Sequence, residues 1–184
     1  MDYDRREDAF RDRRQLPQIY HELSHLWNVE DLDHPSPRWN EGLASFLQWR
    51  MAAELDGWAE WDARIDRAVR LLLSGGTAAG SWRAVPLVDY GRNGITDASY
   101  STGMLMFHVL DQLLGADRFD QCYRRFYQRY RGPGATGRDL ADSFHLVDAR
   151  ADAVFADWFF TARWYARLAA GESLQQMIES YRRR

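Results

Sequence analysis

Residues 21–25 read His-Glu-Leu-Ser-His, and Glu41 follows sixteen positions after the second histidine within Trp39-Asn40-Glu41-Gly42-Leu43-Ala44-Ser45. Histidines four apart on a helix leave it from one face, one turn apart, so two imidazole nitrogens can reach a single ion. Glu41, on a following helix, supplies a third ligand, and the donor set His21, His25 and Glu41 suits one Zn2+. Three protein ligands leave a fourth position for water, which separates a catalytic zinc from a structural one. Glu22, one step round from His21, stays free to accept a proton from that water and pass it to a leaving amine. The chemistry this implies is hydrolysis of an amide bond, with a peptide or protein as substrate.

Such a site needs two helices held side by side. Pro17 suits the first turn of a helix, and Ile19, Tyr20, Leu23, Leu26 and Trp27 recur at helical spacing, so a first helix carries the motif. Residues 28–36, with Asp31, Asp33, His34 and Pro35, read as a loop. Ser36-Pro37 then reads as the start of a second helix, running through Trp39, Leu43, Phe46, Leu47, Arg50 and Met51 to about Leu55 and antiparallel to the first.

A third helical pattern runs from Gly57 through Trp58, Trp61, Ile65 and Leu72 to Gly75-Gly76. Residues 75–98 read as irregular, and the glycines of 74–80 lack the strand and lysine of a phosphate loop. Helical spacing returns over 99–114, 116–130, 136–147, 151–169 and 172–182. The best strand candidate, 84–88, is short. The expected fold is therefore mainly α with at most a small residual β-sheet. It divides into a charged lead-in at 1–15, zinc helices over 16–55 and a helical lobe over 97–184.

The chain's 184 residues are 46% hydrophobic with eight tryptophans, enough for a sizeable core. The net charge is −3 and no basic stripe stands out, which argues against nucleic acid as a partner. All 24 basic residues are arginine, a compositional bias that no site chemistry requires. The single cysteine, Cys122, cannot form an internal disulfide. No apolar run approaches the length of a membrane span, and 1–15 lacks a signal-peptide core. A soluble, cytoplasmic protein, or a piece of a longer one, is the expectation.

His-Glu-Leu-Ser-His-Leu-Trp and Trp-Asn-Glu-Gly-Leu-Ala-Ser-Phe together resemble the gluzincin metallopeptidases, most closely the aminopeptidase N-like family. By that resemblance His21, His25 and Glu41 match the zinc ligands, Glu22 matches the catalytic base, and a thermolysin-like helical catalytic domain is implied. Downstream, Pro86, Ile95, Asp97, Ser99-Tyr100 and Gly103 are similar to the family stretch in which a tyrosine stabilises the tetrahedral intermediate. Tyr100 matches that tyrosine, with Thr102 in place of the family's lysine. A phenol aimed at a developing oxyanion is the donor such a reaction needs. Diffuse similarity extends the match over about residues 16–160.

Two departures from the family are visible. Fifteen residues separate His25 from Glu41, three fewer than in the family. Residues 1–20 also hold no match to the Gly-x-Met-Glu-Asn motif that anchors a substrate's free amine, so aminopeptidase specificity is not carried over.

Other residues invite chemistry and read as ordinary. His34 reads as a solvated loop histidine, and His108 and His145 as packed or surface histidines. Asp31 and Asp33 read as carboxylates able to orient a ligand histidine. Trp27, Trp39, Phe46 and Trp49 read as core, Arg124, Arg125, Arg129 and Arg131 as a solvated helix face, and Arg182-Arg183-Arg184 as a frayed end. The rival to a zinc hydrolase is a metallopeptidase-derived binding or scaffolding domain, with or without zinc, that does no chemistry. Retention of Glu22 argues for the hydrolase.

Overall fold

The computed structural model describes residues 15–33, 38–74, 83, 85–91 and 98–184. Its helices are α1 (Leu16–Ser24), α2 (Asn40–Asp56), α3 (Trp61–Leu73), α4 (Ala98–Leu114), α5 (Ala116–Tyr130), α6 (Gly137–His145), α7 (Ala151–Val154), α8 (Arg163–Ala169) and α9 (Leu174–Arg182). The fold is mainly α, as expected. The lead-in over 1–14, His34, the Ser36-Pro37 helix start and the glycine-rich 75–80 lie outside the described residues.

α4 is the hub. Thr102 to Asp111 are buried without a break, and a helix apolar on every side belongs in the middle of a bundle. α2 lies along α4, α1 lies on α2, and α3, α5, α7 and α9 close round the remaining faces of α4. Phe46 from α2 sits 5.1 Å from Phe119 of α5 and 6.5 Å from Phe107 of α4, so the core joins all three helices. Gly115, at φ +83°, turns the chain between α4 and α5 where an L side chain would be strained. Thr136 and Ser173 start α6 and α9 with reciprocal capping boxes to Asp139 and Gln176.

The structure departs from the sequence expectations at several places. Leu87–Asp89 is a 3-10 turn, so 84–88 is no strand in its described part. Among the described residues the only β pairing is an isolated bridge, Asp31 to Ala135. The single helix expected over 151–169 is two: α7 widens into a π-turn at Phe155–Phe159, where Phe160 N–H donates to the Phe155 carbonyl. Thr161 Oγ1 then donates to the Ala156 carbonyl at 2.6 Å, and α8 starts afresh. The carboxylate of Asp157 in that turn is buried and held by Arg167 and by the hydroxyl of Tyr181, each at 3.0 Å. Arg182, expected to fray, belongs to α9 and donates to the Gln112 carbonyl at 2.9 Å.

Among the described residues, Asp31 and Asp33 orient no histidine. Arg38, fully buried, forms a two-pronged pair with Asp31 and reaches Asp33 at 3.2 Å and the Val88 carbonyl at 2.9 Å. Asp33 in turn accepts from the Gly137 N–H at 2.9 Å. One guanidinium thus ties the loop after α1 to the start of α2, the 3-10 turn at 87–89 and the start of α6. Among the described residues no helix is long and apolar enough to cross a membrane.

Candidate metal centre

The first motif straddles a change of helix type. α1 carries His21 and Glu22 and ends at Ser24, and His25 opens a 3-10 turn, His25–Trp27. The expected α-helical pair is therefore completed on a tighter coil, and the two imidazoles still meet, with ring centroids 4.8 Å apart at 87°. Glu41 stands in the first turn of α2, where the helix dipole favours a carboxylate.

Glu41 Oε2 lies 3.1 Å from His21 Nε2 and 3.6 Å from His25 Nε2. The three ligand atoms all fall within 4.8 Å of one another. Tetrahedral zinc with ligands at about 2.0–2.1 Å sets neighbouring ligand atoms about 3.3 Å apart, so both contacts to Glu41 are close to what the ion requires. His21 is buried, Glu41 and His25 half-buried, which shields the donors while leaving one side open.

The ring orientations also fit a metal. His21 Nδ1–H donates to Gln48 Oε1 at 3.2 Å, which puts the lone pair on Nε2, facing Glu41. Asn28 faces His25 Nδ1 at 2.8 Å through its amide nitrogen, and its oxygen is buried with no partner among the described residues. Inverting that amide would let Oδ1 accept from Nδ1–H, satisfying the orphaned oxygen and freeing His25 Nε2 to bind an ion. Gln48 and Asn28 are the residues that motif reading missed. Gln48 had one signal, its position seven residues after Glu41 on the same helix face.

Four further contacts hold the two halves of the centre in register. Asn40 clamps the loop after His25: its Nδ2 donates to the Val29 carbonyl at 2.9 Å and its Oδ1 accepts from the Val29 N–H at 3.4 Å. From α5, the hydroxyls of Tyr123 and Tyr127 donate to the carbonyls of Trp27 and Leu26 at 2.8 and 3.2 Å. Burial pushes the Tyr123 hydroxyl's pKa far up, so it remains a donor. Between α2 and α4, Gly42 and Gly103 let the backbones touch.

That contact delivers Tyr100. Its ring stacks on His21 at 5.8 Å and 15°, and it is 38% exposed. The structure thus gathers His21, His25, Glu41 and Tyr100. Glu22 is exposed on α1 and accepts from Gln18 Nε2 at 2.7 Å. His145 is an exposed partner of Asp152, and His108 is buried in the wall of a separate cavity. Of the aromatic set read as core, Trp39 and Phe46 are fully buried, whereas Trp27 is half exposed and packs edge-on against Tyr127.

Comparisons with protein-family models, curated proteins and solved structures return no match for this chain, so the gluzincin resemblance rests on its sequence motifs.

Proposed function

We propose that the chain is a zinc-dependent hydrolase of peptide bonds, of gluzincin type, with His21, His25 and Glu41 as the ligands of one zinc ion. The observation that carries this reading is the meeting of those three donor atoms, drawn from two helices, beside the ring of Tyr100. When bound, zinc supplies Lewis acidity that polarises a carbonyl and makes water a nucleophile near neutral pH.

The chain's own residues supply the remainder. Gln48 fixes the His21 tautomer, and Asn28 does the same for His25 once its amide is inverted. Glu22, next to His21 on α1, exchanges its contact with Gln18 for the attacking water, takes its proton and returns it to the leaving amine. Tyr100 donates its phenolic hydrogen to the carbonyl oxygen as that atom gains negative charge.

A second reading has its own observation. Glu22 rests on Gln18 at the surface, an arrangement that also suits a metal-binding module without turnover. The two separate on one comparison: zinc-loaded wild type against Glu22→Gln on a peptide library. The hydrolase reading expects cleavage by wild type and a loss of at least about a hundredfold in the variant with zinc content unchanged. Equal activity in both, or none in either, would favour the module.

A further inference from the structure

A cavity of about 250 Å³ opens between α2, α3 and α4, lined by Tyr100 and Ser101 of α4, Ser45 of α2, and Arg64 and Arg67 of α3. Tyr100 is also the ring that stacks on His21, so the cavity and the metal centre share a wall one side chain thick. No carboxylate lines it among the described residues, in a chain whose net charge is −3. Arg64 is fixed in place: its guanidinium lies 3.8 Å over the Trp49 ring and pairs with Glu60 at 2.7 Å. Arg67 is exposed and has neither a hydrogen bond nor an ion pair among the described residues. Leu71 and Met104 add an apolar strip suited to the methylenes of a short side chain.

We propose that this cavity is a carboxylate subsite and that the substrates are peptides bearing a carboxylate within two residues of the scissile bond. Arginine presents paired N–H donors that match a carboxylate in two prongs, and Ser45 and Ser101 add hydroxyl donors beside it. An extended peptide advances about 3.5 Å per residue, so two residues, about 7 Å, exceed the 5.8 Å between the His21 and Tyr100 rings. The carboxylate belongs either to an acidic side chain or to a free C-terminus. The assignment rests on the hydrolase reading for the position of the scissile bond, while the subsite itself is a matter of binding.

Binding therefore tests it apart from cleavage. Zinc-loaded Glu22→Gln protein is titrated calorimetrically with three short peptides: one neutral with a free C-terminus, its C-terminal amide, and an amide with one residue changed to glutamate. At least one carboxylate-bearing peptide is expected to bind about tenfold or more tightly than the neutral amide, the lower range for a charge-assisted hydrogen bond. Which of the two does so identifies the source. Arg67→Glu in the same background should abolish the preference, a result that direct ligation of zinc by the peptide carboxylate would not give. Equal affinity for all three peptides, no binding of any, or a preference that survives Arg67→Glu overturns the subsite. Cleavage of the library by wild type without a carboxylate preference would sink the subsite alone, and a preference without cleavage would sink the hydrolase alone.

Discussion

A Cβ placed on Gly42 would lie 2.5 Å from the Cα of Gly103, and one placed on Gly103 would lie 2.8 Å from the Cα of Gly42. The two helices meet with nothing between them. Glu41 immediately precedes the first glycine and Tyr100 lies one turn before the second, so this contact sets the separation of the third ligand from the phenol.

Replacing either glycine tests the contact. Gly→Ala in a helix interior ordinarily gains about 1 kcal/mol from propensity. Here a methyl would strike backbone on both sides, and overpacking of that kind costs about 1–3 kcal/mol. Gly103→Ala should therefore lower stability in urea unfolding, with peptide cleavage falling more than zinc content. A stabilised Gly103→Ala protein would show that the helices are free to part.

Zinc should bind at one ion per chain and raise the melting temperature. At free zinc a hundredfold above its dissociation constant the gain is about 2.7 kcal/mol. Chelation should remove it, and His25→Ala or Glu41→Ala should remove both the ion and the sensitivity to chelator. Metal analysis with paired thermal melts reads this. A wild-type protein that carries no zinc and melts identically with chelator has no such centre.

Tyr100→Phe keeps the stack on His21 and deletes only the hydroxyl. Loss of one oxyanion donor ordinarily lowers kcat by about 10²–10³. Steady-state kinetics should show that fall with KM and zinc content near wild type. An unchanged kcat would remove Tyr100 from the mechanism and leave it as a packing residue.

Burial lowers the pKa of His108 from 6.5 to about 4, and its Nδ1 has no partner among the described residues. The unfolded chain therefore binds this proton more readily than the folded one. Stability from this group is fully present above pH 6.5 and is lost as pH falls toward 4, by about 2 kcal/mol between pH 7 and pH 5. Metal-free protein is the right sample, since pH-dependent metal binding would otherwise add its own stability change. In urea unfolding, wild type should lose about 2 kcal/mol relative to His108→Leu between pH 7 and pH 5; parallel curves would show that His108 does not titrate in this window.

The meeting of His21 and His25 was legible in the sequence because helix geometry is local: a spacing of four residues places two rings together. Tyr100 was legible only through resemblance, since nothing in the spacing of residues 79 positions apart predicts that the Tyr100 ring stacks on His21. Gln48 and Asn28 were not, because amides that orient a ring have no periodicity of their own. Arg38 went unread, and its neighbours were assigned elsewhere. Asp31 and Asp33 looked available for a histidine, whereas a buried guanidinium is the stronger claimant on two carboxylates. The break after α7 also left no mark, since residues 155–162 contain neither glycine nor proline and the chain widens into a π-turn instead.

The hydroxyls of Tyr123 and Tyr127 reach carbonyls 96 and 101 residues earlier in the chain. Residues at such distances meet only after a large loop has closed, which is slow relative to helix formation. The two motifs are near neighbours in sequence, yet the turn bearing His25 is latched by a helix made much later. With zinc bound as proposed, binding strength at this centre would report on assembly of the distant half of the chain, and zinc uptake during refolding would be a clock for the final docking of α5.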